Sequence, residues 1–335
     1  MMDYEYLSSV PLRTLLQEHP LAGNYLENLR LTGLPEDLPL LAGLMLEEPA
    51  ALKEFELTAV QVVDELAAWL QVMEQNGEPA AVSSVTILGG RNKQGEPEKV
   101  ELTVRVGEVI SIVGPTGAGK SRLLEDIECL ASGDTPTGRR ILINGEVPEK
   151  FPQAAEGRLV AELSQNMNFV MDLSVRDFLQ MHARSRQIAE EEKAVERTYR
   201  CANELAGEPF AWETKVTQLS GGQSRALMIA DAACISDSPI VLVDEIENAG
   251  IDRKKAVELL ARRSKIVLIS THDPLLALEA DRRLVIRGGG IVAVLERTPE
   301  EEACLQQLSQ MDEWMQEIRS RLRAGERIEK LERGE

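Results

Sequence analysis

Gly114-Pro115-Thr116-Gly117-Ala118-Gly119-Lys120-Ser121 is the stretch on which the reading of this chain turns. It fits GxxxxGK[ST], and its flanks suit the pattern. Val109 to Val113 is an apolar run suited to a buried strand, and Ser121 opens a helix carrying Leu123, Leu124 and Ile127. Three glycines let successive backbone amides curl around phosphate oxygens with no Cβ in the way. The helix that follows aims its positive end at the same oxygens. Lys120 can reach the β- and γ-phosphates, and the Ser121 hydroxyl suits Mg²⁺. The nucleotide-binding stretch is therefore expected to run from Gly114 through Arg122, holding a nucleoside triphosphate.

Working outward, Ile240-Val241-Leu242-Val243-Asp244-Glu245 reads as a buried strand that delivers carboxylates to its C-terminal tip, where ligands bind in open α/β sheets. Asp244 is expected to hold the magnesium through water and Glu245 to polarise the attacking water. An apolar strand ending in Asp-Glu is common; its place 125 residues after Lys120 makes it specific. Between the two lies Leu219-Ser220-Gly221-Gly222-Gln223, a flexible turn before a helix, whose N-terminus is a second potential anion site.

The wider chain has 335 residues, enough for about two domains, and 37 Lys+Arg against 56 Asp+Glu give a net charge of −19. Such a surplus opposes binding to nucleic-acid backbones. No apolar run reaches the roughly 18 residues of a membrane span, and the start MMDYEYLSSVPLR is not a secretory signal. Cys129, Cys201, Cys234 and Cys304 show no ligand spacing and read as reduced, mostly buried thiols of a cytoplasmic protein.

Residues 1–76 form an acidic block, with 3 Lys+Arg against 14 Asp+Glu between Met1 and Ala80. Helices are expected at Pro11 to Glu18, near Asn24 to Leu29, at Glu36 to Leu46 with its start marked by Pro35, and at Thr58 to Gln75. The last carries an apolar stripe of Val62, Val63, Leu66, Trp69, Leu70 and Met73. Strands alternating with helices follow over residues 80–297. Strands are expected at Val82 to Leu88, Lys99 to Arg105, Val109 to Val113, Ile240 to Val243, Ile266 to Ser270 and Arg283 to Ile286. Arg139 to Ile143 with Asn144-Gly145 reads as a hairpin. A final helix from Thr298 to Arg323, within an extension over 298–335, carries Leu305, Leu308, Met311, Met315, Ile318 and Leu322, a stripe expected to pack within the chain or, alternatively, against a partner.

Taken together, the phosphate loop, the Asp244-Glu245 tip and Leu219-Ser220-Gly221-Gly222-Gln223 resemble the motifs of the ATP-binding cassette (ABC) ATPases. The resemblance extends over about residues 82–296. Gln165 matches the Q-loop glutamine, Asp252 the D-loop aspartate and His272, ending Lys265 to Thr271, the switch histidine. His19 and His182 have no such context and are read as structural. The resemblance implies an α/β P-loop core of ABC type, a helical subdomain at about 168–218, and a small all-α domain before it. It further implies Mg-ATP hydrolysis in a head-to-tail homodimer. There Lys120, Gln165 and His272 meet the γ-phosphate in cis, Ser220, Gly221, Gly222 and Gln223 act in trans, and Ser121, Gln165 and Asp244 surround Mg²⁺.

Three departures stand out. Thr86-Ile87-Leu88-Gly89-Gly90 lacks the aromatic that family members stack on adenine. Arg225-Ala226 replaces the common Gln-Arg pair, and Ile246 to Asp252 lacks a proline and is one residue longer. These departures and the acidic N-terminal domain favour a soluble ATP-driven machine that remodels or assembles a partner protein, grasped by that domain; the other reading of the domain is a simple stabilising cap on the cassette. The alternative is the ATP-hydrolysing subunit of a membrane transporter, docked through a groove near Gln165 and peripheral at the membrane. A chromosome-organising role is disfavoured, because the interval from Lys120 to Ser220 has no room for a long coiled coil.

Overall fold

The computed structural model describes residues 4–19, 22–23, 25–26, 29, 31, 33–47, 52, 57–75, 81–151, 154, 158–164, 169–186, 188, 190–245, 251–261 and 265–328. The chain divides into two compact units, Met1–Ala80 and Ala81–Glu335.

The first unit is helical: α1 (Tyr4–Ser9), α2 (Leu12–Glu18), α3 (Leu40–Glu47) and α4 (Ala59–Gln75). Thr58 starts α4 with a reciprocal cap, its hydroxyl accepting the Gln61 amide while the Gln61 side chain accepts the Thr58 amide. Val62, Val63, Leu66 and Leu70 of the expected stripe are buried against Leu7, Leu15, Leu40 and Leu44. The side chains of Trp69 and Met73 lie outside the described residues, as does part of the stretch near Asn24 to Leu29. Two details differ from the sequence reading. Helix α1 carried no recognised signal, and α3 starts after Pro39 rather than at Glu36. The cause is tertiary: the Glu36 and Leu38 carbonyls accept the Arg13 and Leu12 amides, and the Arg13 side chain pairs with Glu36 and Asp37.

The second unit is built on β1 (Ser84–Leu88), β2 (Glu101–Arg105), β3 (Val109–Val113), α5 (Lys120–Glu128), β4 (Arg140–Ile143), β5 (Val160–Leu163), α6 (Val175–Ser185), α7 (Glu191–Leu205) and α8 (Gly221–Cys234). It continues through β6 (Ile240–Asp244), α9 (Arg253–Ala261), β7 (Ile266–Ser270), α10 (Pro274–Glu279), β8 (Arg282–Arg287), β9 (Gly290–Glu296) and α11 (Pro299–Arg323). A six-stranded sheet runs β5-β6-β7-β3-β8-β9, parallel except for β9. Its central strands are buried on both faces, which is why they are continuously apolar. Ile110, Ile112, Ile240 and Leu242 fill one layer, and Val109, Val241, Val243, Val267 and Ile269 the other. The C-terminal tips of β3 and β6 thus come to one end of the sheet.

A second, antiparallel sheet runs β2-β1-β4. The expected tight turn at Asn144-Gly145 forms, with φ of +52° and +80°, but no second hairpin strand follows it. Instead β4 pairs with β1, because Ile141 and Ile143 then share the core with Val85 and Ile87. Helices α6 and α7 pack around Phe178, Leu179 and Ala202, and that core continues into Leu227 and Ala230 of α8, past the expected limit near residue 218. The expectation of mostly buried thiols fails, because Cys129 and Cys304 lie on exposed positions and Cys201 and Cys234 are half-buried. The apolar stripe of α11 does not enter a core of this chain. No residue of this helix is buried, and Met311, Met315 and Leu322 are 46%, 42% and 56% exposed.

Candidate functional site

The phosphate loop leaves β3 at Gly114, where a Cβ would lie 2.3 Å from the Ile286 carbonyl oxygen, so only glycine passes. Gly117 and Gly119 have φ of +75° and +107°, the left-handed region that glycine enters without strain. Pro115 and Ala118 shape the turn: the Pro115 carbonyl accepts the Ala118 amide, and the Ala118 methyl is buried in the core. Lys120, 7% exposed at the start of α5, donates to the Gly114 carbonyl at 3.1 Å. Its ammonium also lies 2.9 Å from His272 Nε2, which accepts when the imidazole proton is on Nδ1.

The facing wall comes from β6. Glu245 has φ of +49°, a conformation costing a non-glycine residue on the order of 1–3 kcal/mol. Its amide donates to the Ser270 carbonyl of β7 at 3.0 Å, which locks the bend. The bend brings its carboxylate to 3.5 Å from His272 Nε2. Arg225 of α8 is buried and donates to the carbonyls of both Ser164 and Asp244, tying the helix that follows Ser220 to the β6 tip.

A cavity of about 600 Å³ gathers Thr116, Gly117, Gly119, Lys120, Ser121 and Arg122 with Glu245 and His272. Arg91, Asn92 and Lys93 line it too, and the Lys93 ammonium donates to the Gly117 carbonyl at 2.9 Å. Ser220, Gly221, Gly222 and Gln223 do not line this cavity, and neither does Asp252. Ser220 caps α8 by accepting the Gln223 amide, while the Gln223 side chain accepts the Ser220 amide. Among the described residues, a Cβ on Gly221 would meet nothing within 4 Å, so none of them demands glycine there. Asp252 accepts the Lys255 amide at 3.1 Å and pairs with the Lys255 ammonium at 2.9 Å. Gln165 and the segment 246–250 lie outside the described residues.

Sequence reading missed four cations. Arg91 and Lys93 precede every motif, and Arg225 was noted only as a departure. Arg253 bridges Asp273, beside His272, and Asp312 of α11, the latter at 2.8 Å. Each is an ordinary surface-type residue in sequence and acquires its place only through contacts distant along the chain.

The donor chemistry fits a hard divalent cation, since the Ser121 hydroxyl and the Glu245 carboxylate line the cavity, whereas Asp244, at the tip of β6, is not among its lining residues. Burial pushes the Glu162 carboxyl up, and the charges of Glu128, Asp244 and Glu125 add to it. A divalent cation near Asp244 would relieve that crowding. Among the described residues no group of three or more acidic, histidine or cysteine side chains could hold a metal alone. Magnesium commonly takes only one or two protein carboxylates, and substrate phosphates supply the rest.

The family model described as ABC transporter matches residues 97–248. An uncharacterised ABC transporter ATP-binding protein of Methanocaldococcus jannaschii, MJ0121, is 51% identical over 249 residues, which is 74% of this chain and 95% of that protein. The macrolide export ATP-binding/permease protein MacB 1 of Aeromonas hydrophila is 30% identical over 60% of this chain; the match spans 31% of MacB 1, about a third of its length. Among solved structures, a dimeric post-hydrolysis state of the ATP-binding cassette MJ0796, bound to ADP and Pi, superposes with a TM-score of 0.50 at 23% identity. That match covers 64% of this chain and 99% of the other, and at this identity it speaks for the fold.

Proposed function

This chain belongs to the ABC transporter family of ATP hydrolases, and we propose that it is the ATP-binding subunit of a membrane transporter, working as a head-to-tail pair of identical chains. The expectation of a soluble remodelling machine gives way, because the relatives MJ0121 and MacB 1 both carry transporter descriptions. No helix among the described residues is long and apolar enough to cross a membrane.

The observation that carries the mechanism is the split of the site. Lys120, Ser121, Glu245 and His272 share one cavity, whereas Ser220 to Gln223 lie outside it on the exposed N-terminus of α8. In a paired arrangement that N-terminus, with the Ser220 hydroxyl and the Gly221 and Gly222 amides, faces the phosphates held by the partner. The γ-phosphate competes with the Gly114 carbonyl and His272 for the Lys120 ammonium, and charge-assisted bonds to phosphate are the stronger. Mg²⁺, held by Ser121 with Asp244 and Gln165, would offset phosphate charge. Glu245 then polarises the attacking water, His272 orients the γ-phosphate, and Asp252 contacts the other chain. Loss of the γ-phosphate removes the differential contacts and lets the pair open.

Val170, 93% exposed, and Met171, 39% exposed, follow the segment 165–168 and offer apolar surface for a transporter subunit near Gln165. The acidic first unit supports a further protein contact, and the working location is the cytoplasmic face of a membrane. The Glu245→Gln chain, given ATP and Mg²⁺, is expected to form a dimer by light scattering. A trapped protein that stays monomeric would overturn the pairing. Recovery of the wild-type chain from solubilised membranes without any polytopic membrane protein would overturn the transporter assignment.

A further inference from the structure

We infer that the base end of the nucleotide is held by a cationic turn rather than by an aromatic ring, with the Arg91 guanidinium stacking on the base and Lys93 bonding the polyphosphate. The inference rests on the reading of the 600 Å³ cavity as the ATP site. One part of that cavity is already committed: Lys120, Ser121, Glu245 and His272 gather where the terminal phosphate reacts. The remaining lining includes Arg91, Asn92, Lys93 and Thr137, and no described lining residue is a phenylalanine, tyrosine or tryptophan.

The backbone explains why no ring is present where the strand β1 ends. A Cβ at Gly89 would lie 2.5 Å from the Glu98 carbonyl oxygen, and one at Gly90 would lie 2.1 Å from the Thr137 carbonyl oxygen. Neither position admits any side chain. The first side chain that can reach the cavity beyond them is Arg91, which is exposed.

The turn that presents it is built before any ligand arrives. The Arg91 amide donates to the Thr137 carbonyl at 2.7 Å, and the Lys93 amide to Gly288 at 2.8 Å. Asn92 Oδ1 accepts the amides of Gln94 and Glu96 at 3.0 and 2.9 Å. Behind it the Glu98 carboxylate accepts the Gly90 amide at 2.9 Å and is itself gripped by the fully buried Arg139. A turn so fixed loses little entropy on binding. Through its bond to Gly117, the Lys93 ammonium sits on the phosphate loop itself, and Arg91 is two residues back along the same turn. A guanidinium is planar and weakly hydrated, so it stacks on flat π-systems as an aromatic side chain does. Such stacking reads the face of a base and not its edge, so adenine and guanine should be accepted alike. Lys93 reaches only phosphate, so its contribution should be independent of the base.

Calorimetric titration of the full chain with ATP, GTP and inorganic tripolyphosphate separates these roles, using Arg91→Ala, Arg91→Tyr, Lys93→Ala and Lys120→Ala. The wild type should bind ATP and GTP within about threefold of each other. Arg91→Ala should weaken both by about tenfold and leave tripolyphosphate unchanged, while Arg91→Tyr restores ATP. Lys93→Ala should weaken all three by a common factor. Unaltered ATP affinity in Arg91→Ala, or an equal loss for tripolyphosphate, overturns the inference. If ATP binding then still disappears in Lys120→Ala, the ATP site itself stands. A wild-type chain that binds no ATP sinks both.

Discussion

Every residue buried in the first unit, among those described, is apolar, whereas the second unit also buries Lys120, Asp126, Arg139, Arg225 and Lys265. A core of leucine, valine and alanine stabilises through non-directional burial, at about 1.5–3 kcal/mol for each large side chain, and leaves the exterior free to be acidic. Buried ions instead carry a desolvation cost that only good geometry offsets. In the second unit Arg139 meets that condition. Arg139 spans Glu98 at 2.6 Å, Asp126 of α5 at 2.9 Å and the Gly289 carbonyl at 2.8 Å. It therefore ties the cationic turn, the helix behind the phosphate loop and the β8–β9 turn into one piece. The difference teaches that one unit is built for shape and the other for position.

Three variants test that contrast. Arg139→Ala strands two buried carboxylates and is expected to cost the second unit about 3–5 kcal/mol by urea unfolding, with weaker ATP binding. A loss below about 1 kcal/mol would show that the ion cluster is dispensable and would break the comparison. Leu66→Ala opens a cavity in the first unit and should cost it about 2–5 kcal/mol. The ATP hydrolysis rate, a readout of the second unit, should stay within about twofold. A larger change in rate would mean that the leucine core also positions catalytic groups.

The smallest effect is a dependence on pH. Burial alone would raise the Glu98 carboxyl, but the Arg139 bonds and the Gly90 and Ile291 amides outweigh it and hold it below the ordinary 4.5. The folded state then binds fewer protons than the unfolded chain just below 4.5, so this stabilisation is present above that pH. It is lost as the pH falls through the lower folded value. Thermal melts from neutral to acid pH should therefore show a shallower acid decline in Glu98→Gln than in the wild type. Parallel declines would remove Glu98 from the account.

Legibility in the sequence followed the reach of each interaction. Val62, Val63, Leu66 and Leu70 announced α4 because helical spacing is local. The loop around Lys120 announced itself because its glycines, lysine and serine are consecutive. Arg139 gave no such sign: its partner Glu98 is 41 residues away, and only the pairing of β4 with β1 brings the segments together. The start of α3 was misplaced for the same reason, since amides from α2 claim the carbonyls of Glu36 and Leu38.

By itself, then, the sequence determined the glycine-lined loop from Gly114 to Ser121, the strand that ends at Asp244, and the alternation of helices and strands between them. These depend on residue type and spacing within a few turns of chain. Tertiary structure alone decided that β4 adds to β1, that Gly89 and Gly90 leave no room for a ring, and that Arg91 and Lys93 line the same cavity as Lys120. Those outcomes depend on how closely distant backbones approach, and a close approach is set by the packed core as a whole.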